Sequence, residues 1–427
     1  MSTLLKNAIY IDWKTLEFSQ KNILVEENNN AIQFIENNEL IVAKDDPEVL
    51  DCTGKLVTRS FAVGHHHAYS ALSRGMGAPR KNPENFYEML RYVWWTLDKC
   101  LDPEIIESSA LVTAIACAKA GSTFVIDHHS SPNTVKGSLE IVAEAFDKVG
   151  ISHLLCYEIS DRDGTSISIE GLKETESYML KHQGLVGLHA SFTVGNDTMY
   201  QAVDMMNRFN SGIHIHTAED TYDQDICLRK YGKRVVERLY ESGVLKSSKT
   251  ILAHCLHLDE NEKDIIRNSP CWVVQNTDSN MNNNVGHFNS EYLGSNIMSG
   301  TDGMHSDMLR SIKAAFLAGQ EYDSINCQTA YHRFRNVHRY LNENNFTGDS
   351  GNNLVVLDYD NPTEINQDNF FGHFIFGISS NHVRDVISNG RLILKNRQII
   401  TVNESEILEV SRERAGRLWK KMQNFTE

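Results

Sequence analysis

The sequence of 427 residues predicts an α/β fold, a (β/α)8 TIM barrel with a small β-sandwich domain built from both chain ends. Three observations predict it. Short strand-like runs without a helical period come first, apolar strands then alternate with amphipathic helices, and strand-like sequence returns at the end. The expected domains are 1–58 and 349–427 for the two parts of the sandwich, the second including a terminal helix, and 59–348 for the barrel.

The N-terminal segment is expected to contribute strands to the sandwich. Asn- and Asp-containing turns separate its short apolar runs, and such turns commonly bound strands. The expected strands are Ala8–Ile11, Asn22–Glu26, Ala31–Ile35 and Leu40–Ala43.

The middle segment is expected to supply eight barrel strands with helices between them. The clearest helix begins at Asp102-Pro103, where an N-cap residue precedes a proline, and ends at Gly121. In such barrels the active site lies at the C-terminal ends of the strands. The expected strands are 61–64, 123–126, 151–156, 185–188, 213–216, 250–253, 272–275 and 296–299.

The C-terminal segment is expected to complete the sandwich and to end in a helix. That helix should run from about Glu404 to Met422. The expected strands are Leu354–Leu357, His373–Phe376, Val383–Ser388 and Arg391–Leu394.

Composition narrows the class of partner. A formal net charge of −15 disfavours nucleic acid and anionic membranes, because both require a basic surface, and it favours a small-molecule substrate. No apolar run approaches the roughly 20 residues that span a bilayer, and no secretory signal is visible. Scattered cysteines are typical of a reduced compartment, so the expected location is the cytoplasm. The sequence leaves open whether the protein forms a homo-oligomer.

Four short stretches at expected strand ends carry side chains that bind metals. Alternate residues of a strand share a face, so His65 and His67 point to the same side, and by the same rule either His214 or His216 could join them. Taken alone, each stretch could have a purely structural role, but together they predict one metal site. The stretches are Gly64-His65-His66-His67, His214-Ile215-His216-Thr217-Ala218-Glu219, Ala253-His254 and Gly300-Thr301-Asp302-Gly303.

Imidazoles and a carboxylate suit one divalent ion. Zn²⁺ is the first expectation, with Fe²⁺ or Mn²⁺ as alternatives. Glu219 lies just beyond the fifth strand as an acid/base group, and His254 is placed to orient or polarise water. Asp302 could both ligate the ion and accept a proton.

The order His-x-His, His-x-x-Glu, Ala-His-Cys, Thr-Asp resembles the amidohydrolase superfamily, in its mononuclear cytosine-deaminase-like and chlorohydrolase-like branch. This resemblance implies that Glu219 is the proton shuttle and His254 the base that orients water and substrate. Arg59-Ser60 and Asn276-Thr277 depart from the family pattern. Further stretches, at 126–132, 187–193, 231–238 and 279–283, resemble one aminohydrolase group within that branch. The metal ligands that the resemblance implies are His65, His67, His216 and Asp302.

Other residues near the expected mouth are candidates for substrate contact. The resemblance suggests such a contact for His189, although a structural histidine is an equal alternative, and Arg74 could pair with an anionic substrate group. Apolar residues between Phe86 and Leu97 keep helical spacing and are expected to be a packed face, with Trp95 off that stripe as a lid candidate.

The function favoured by these residues is hydrolytic deamination of a small nitrogen heterocycle or an amidine-like C–N bond. Two alternatives stay open. The same site could hydrolyse cyclic amides or remove chloride, or the barrel could be catalytically silent and act as a binding or assembly protein.

Overall fold

The computed structural model describes residues 2–27, 29–36 and 46–426. The expected strand Leu40–Ala43 therefore lies outside the described residues. Among the described helices, none is long and apolar enough to cross a membrane.

One sheet, made from both chain ends, forms a domain separate from the barrel. Leu354–Leu357 pairs antiparallel with Leu56–Arg59, and this pairing joins the C-terminal strands to the N-terminal ones. Leu5, Ile23 and Ile387 are fully buried in the core of this domain, so neither chain end could bury its apolar residues alone. The strands are Ser2–Ile11, Phe18–Glu26, Gln33–Ile35, Glu48–Asp51, Leu56–Arg59, Leu354–Leu357, Val383–Ser388, Arg391–Lys395 and Gln398–Ile399.

The barrel contains the eight parallel strands that the sequence predicts, which confirms the expected fold class. Most of their residues are buried, as parallel strands covered on both faces require. In chain order they are Phe61–His66, Ser122–His129, Ser152–Tyr157, Val186–Ala190, Ile213–Thr217, Ile251–His254, Trp272–Gln275 and Ile297–Ser299.

Isolated bridges close this ring of strands. Leu155 pairs with Gly184, joining the third strand to the fourth, and His66 pairs with Asp302, joining the first to the last. A Cβ at Gly64 would lie 2.6 Å from Ser299 O, so glycine permits this close approach of the first and last strands. Closure brings the C-terminal ends of all eight strands to one mouth.

Helices follow most barrel strands. Asp102 caps the helix Pro103–Lys119 by accepting a hydrogen bond from Ile105 N, as the sequence predicts. The helices are Phe86–Met89, Trp95–Lys99, Pro103–Lys119, Ser138–Val149, Thr165–Met179, Asn196–Arg208, Thr221–Tyr231, Val235–Ser242, Glu260–Arg267, Thr277–Asn283, Met308–Tyr322, Cys327–Glu343, Phe370–Phe376 and Glu404–Asn424. A π-helical turn spans Leu90–Trp94, and 3-10 turns span Ala68–Ser73, Ser191–Thr193, Val244–Lys246 and Ser380–His382.

One predicted strand is wrong. His373–Phe376 belongs to the helix Phe370–Phe376. Its sequence is apolar at almost every position and therefore carries no period that separates a strand from a helix. Packing decides the outcome, because the helical turn buries Phe370 and Phe374 together against Tyr331.

Candidate metal centre and active site

Four predicted ligands converge at the mouth of the barrel, and we call them the ligand cluster: His65, His67, His216 and Asp302. One nitrogen or oxygen of each side chain lies within 4.8 Å of those of the others. His67 Nε2 is 3.0 Å from His216 Nε2 and 3.1 Å from Asp302 Oδ1. His65 Nε2 is 3.5 Å from the same carboxylate oxygen. The ends of the first, fifth and eighth strands thus meet at one point.

Hydrogen bonds fix the rings of the ligand cluster. His67 Nδ1 donates to the backbone oxygen of His128 at 2.6 Å, and His216 Nδ1 donates to that of His189 at 2.8 Å. Both rings therefore turn Nε2 towards the cluster, as metal-binding histidines do. His65 Nδ1 lies 2.9 Å from His214 Nε2, so His214 stands behind His65 and not in the cluster.

The ligand cluster fits a divalent ion. His65 Nε2 is buried and has no hydrogen-bond partner, although it points towards the other ligands. A buried polar atom left without a partner is costly unless something else satisfies it. Three imidazole nitrogens and one carboxylate, without a thiolate, are the donor set of catalytic metal sites.

Glu219 and His254 lie beside the cluster, where the sequence places them. His254 Nε2 is 3.6 Å from Glu219 Oε2 and 3.8 Å from Asp302 Oδ2. Asn280 donates to His254 Nδ1 at 2.7 Å, so the neutral ring carries its proton on Nε2. Burial lowers the pKa of His254 to about 4. Burial and the nearby Asp302 raise the pKa of Glu219 well above its ordinary value, which favours a carboxyl group that takes up a proton readily.

The backbone at these strand ends is strained. Ala218, His254 and Asp302 have φ angles of +47°, +74° and +49°, in the left-handed region that residues with a Cβ rarely adopt. Such strain persists only where the surroundings enforce it, and it is common at functional sites. One enforcing contact is visible, because the buried Asp223 carboxylate accepts a hydrogen bond from Ala218 N at 3.0 Å.

A cavity opens above the cluster. His67, His216, Glu219 and Asp302 form part of its lining. The lining also includes Phe86, Leu90, Trp94 and Trp95, which we call the aromatic wall. The helix after the seventh strand and the loop after the eighth supply Ser279, Asn282, Asn283, Gly303 and Met304. The remaining lining residues are Tyr69, Ser70, Glu158 and His189.

The aromatic wall differs from the packed helix face that the spacing predicts. Val93 and Leu97 are buried in the protein, but Phe86, Leu90 and Trp94 face the cavity. The cause is the π-helical turn, in which Trp95 N bonds to Leu90 O, five residues back. The wider turn shifts the register of the helix and brings both tryptophans to the cavity.

The two predicted substrate contacts have different outcomes. His189 lines the cavity, and its Nδ1 is paired with Thr193 Oγ1 at 2.7 Å. Arg74 is exposed and is absent from the cavity lining, so the structure does not bring it to the site. The short turn Ala68–Ser73 separates it from the end of the first strand.

A buried acidic group at the cavity was missed from the sequence. Glu158 follows the third strand, is 5% exposed and lines the cavity. Arg162 Nη1 donates to Glu158 Oε1 at 2.8 Å, and His128 Nδ1 lies 3.2 Å from Oε2. Its position at a strand end was the available signal, but no motif surrounds it.

Comparisons with known proteins agree with this fold and site. Residues 61–332 match the model of the amidohydrolase family. A 5'-deoxyadenosine deaminase of Methanopyrus kandleri is 28% identical, over 93% of this chain and 94% of the relative. The zinc-bound structure of an adenosine deaminase from Xanthomonas campestris superposes with a TM-score of 0.80 at 17% identity, covering 98% of this chain and 100% of that one. The structure of Escherichia coli guanine deaminase gives a TM-score of 0.77 at 16% identity, covering 92% and 99%.

The fold and the site define a hydrolase of the metal-dependent barrel type. The chain belongs to the amidohydrolase family, because the family model covers more than half of it. This membership confirms the predicted resemblance and the predicted class, a hydrolase acting on carbon–nitrogen bonds other than peptide bonds.

Proposed function

We propose that this chain is a zinc-dependent aminohydrolase that deaminates a small nitrogen heterocycle by hydrolysis. One observation carries the proposal. The ligand cluster, Glu219 and His254 meet at one mouth of the barrel, and the rings of His67 and His216 turn Nε2 towards the other ligands. The proposed ligands are the four residues of the cluster.

A divalent ion held by the cluster would supply the Lewis acid that makes water nucleophilic near neutral pH. The protein's own groups carry the protons. Glu219 accepts a proton from the attacking water and delivers it to a ring nitrogen. It then carries the second proton, from the hydroxyl group of the tetrahedral adduct, to the amino group, which departs as ammonia. His254 donates a hydrogen bond from Nε2 and so orients the oxygen that attacks. Asp302 Oδ2 lies 3.8 Å from His254 Nε2 and places a negative charge beside this donor.

The relative that is similar in sequence supports deamination, whereas the solved structures of similar fold include both deaminases and triazine hydrolases. The relative and both structures reported above are named as deaminases, of 5'-deoxyadenosine, adenosine and guanine. The four further stretches resemble the aminohydrolase SsnA, and we propose on that resemblance that this chain belongs to the same group, whose substrate the resemblance leaves open. A small-molecule substrate and a cytoplasmic location are part of the proposal.

The variant Glu219→Gln tests the proposal. It keeps the shape of the side chain and removes the proton acceptor, so we expect turnover to fall by roughly 10²- to 10⁴-fold while bound metal is unchanged. Ammonia release would be measured across purines, pyrimidines, pterins and triazines, with metal content determined on the same samples. Glu241→Gln, at an exposed glutamate that pairs with Lys233, is the matched control.

The assay also separates the alternatives. Retained turnover in Glu219→Gln would contradict the assignment of the proton shuttle. Release of chloride or of a carboxylic acid in place of ammonia would support a chlorohydrolase or a cyclic amide hydrolase. A fully metal-loaded protein that turns over no compound would support the binding or assembly protein.

A further inference from the structure

Glu158 is the buried charged group at the cavity to which the proposed mechanism gives no role. Its side chain is 3% exposed, and it faces the same cavity as the ligand cluster. One of its oxygens lies within 4.8 Å of ring nitrogens of His67 and His216. A substrate whose reacting carbon sits at the cluster would therefore present its ring edge, and not a remote substituent, to Glu158.

A buried ion pair keeps this carboxyl group ionised. Burial opposes ionisation, but Arg162, whose Nη1 donates to Glu158 Oε1 at 2.8 Å, helps to hold the pKa of Glu158 well below its ordinary range. Arg162 is itself fixed, because it pairs with the buried Asp98 and lies over the Trp95 ring at 5.1 Å. Glu158 is thus a rigid negative group joined to the aromatic wall.

A second metal ion does not explain Glu158. Together with His128 it could form a site only by sharing His67 and His216, whose Nε2 atoms already point to the ligand cluster. Each imidazole offers its remaining nitrogen to a backbone carbonyl, so neither ring has a second nitrogen to give. The guanidinium 2.8 Å from Glu158 further disfavours a cation.

The carboxylate has unused acceptor capacity. Its two oxygens can accept about four hydrogen bonds. In the described structure each oxygen has one neighbouring side chain, because Oε1 accepts a hydrogen bond from Arg162 and Oε2 lies 3.2 Å from His128 Nδ1. Each oxygen can therefore accept one more donor, and two adjacent donors on a planar ring match the geometry of a carboxylate.

Building on the proposed deaminase function, we propose that Glu158 selects heterocycles that carry a ring N–H next to the amino-bearing carbon. The ring N–H and the amino group donate to the two oxygens of Glu158 while the aromatic wall covers the ring face. Isocytosine, guanine and pterin have this donor pair. Adenine-type rings have an acceptor nitrogen at that place, which would face the carboxylate without a proton between them.

Ligand binding to the metal-loaded Glu219→Gln protein tests this inference without requiring turnover. Calorimetry would compare isocytosine with 3-methylisocytosine, which lacks the ring N–H, and with 5'-deoxyadenosine. We expect isocytosine to bind roughly 10- to 100-fold more tightly than the methylated compound, since a hydrogen bond to a charged group is lost. Adding Glu158→Gln should reduce this ratio to about threefold or less, with bound metal unchanged.

Glu174→Gln is the matched control. Glu174 is also a buried carboxylate, but it accepts hydrogen bonds from Gly137 N and Leu139 N and is absent from the cavity lining. This variant should keep the full preference for isocytosine. In active protein, Glu158→Gln should raise KM for a donor-bearing substrate more than it lowers kcat.

Three outcomes would overturn the inference. They are equal binding of isocytosine and its methylated analogue, tighter binding of 5'-deoxyadenosine, and a second equivalent of metal that is lost with Glu158→Gln. The comparison of ligands needs no variant at Glu158, so it holds even if that variant does not fold. Deamination of adenine-type rings in preference to the others would leave the proposed function standing and remove only this inference.

Discussion

The two sides of the cavity are built differently. The ligand cluster lies on strand ends and the residues directly after them, and backbone carbonyls fix two of its rings. The aromatic wall lies on one helical segment between the first and second barrel strands, and it owes its shape to a π-helical turn. Glu158 connects them, because it stands at a strand end and is tied through Arg162 to Trp95.

Because they are built differently, we expect the ligand cluster to determine the reaction and the aromatic wall to determine which substrate is bound. Binding a metal ion requires particular donor atoms at a few positions that the barrel makes available, so the cluster tolerates little variation. A wall that packs against a planar ring requires only apolar area of suitable shape, which many sequences supply. Changes on the cluster side should therefore abolish the reaction, and changes on the wall should alter which substrate is bound.

The largest effect is expected for His216→Ala. Removing this imidazole takes one of the four proposed ligands from the cluster, so we expect loss of the bound ion and of measurable turnover. Metal content by elemental analysis and the ammonia assay would check this. His182→Ala is the control, because His182 is partly exposed and pairs with Glu140 at the surface. A variant that kept its ion and its activity would show that the cluster is misassigned.

The cluster side could be predicted from sequence because its rules are local. Alternation along a strand places His65 and His67 on one face, and barrel topology brings distant strand ends together. Alternation along the strand made His214 and His216 equally good candidates for the third histidine ligand, and the resemblance favoured His216. The structure agrees with that preference, since His214 stands behind His65. The roles of all these residues remain predictions.

The aromatic wall could not be predicted because its geometry is not local. A period of 3.6 residues places Trp95 off the apolar stripe, and the π-helical turn that overrides this period does not follow from the spacing of the apolar residues. The helix Phe370–Phe376 was missed for a similar reason, since packing decided its form. The domain limits at 58 and 348 stay a prediction, although the strands of both chain ends do share one sheet.

A smaller effect on the cluster side is expected for His214→Ala. Its Nε2 lies 2.9 Å from His65 Nδ1 and fixes that ring, so its loss should weaken metal binding by roughly 10- to 100-fold without removing a ligand. Competition with a chelator of known affinity would measure the change. His182→Ala again serves as the control. Unchanged metal affinity would mean that the neighbouring strands hold His65 without this contact.

The smallest effect is expected on the aromatic wall, for Phe86→Ala. Phe86 is only partly buried and lines the cavity, so its truncation should leave the fold and the bound metal intact. Loss of an aromatic contact with the substrate ring should raise KM by roughly 2- to 10-fold with little change in kcat.

Steady-state kinetics on the substrate that releases ammonia fastest would measure the effect of Phe86→Ala. Tyr200→Ala is the matched control, because Tyr200 is 59% exposed and is absent from the cavity lining. A lower kcat with an unchanged KM would mean that Phe86 acts in the chemical step, and it would contradict the division of roles between the ligand cluster and the aromatic wall. A higher KM with an unchanged kcat, together with the loss of metal expected for His216→Ala, would support this division of roles.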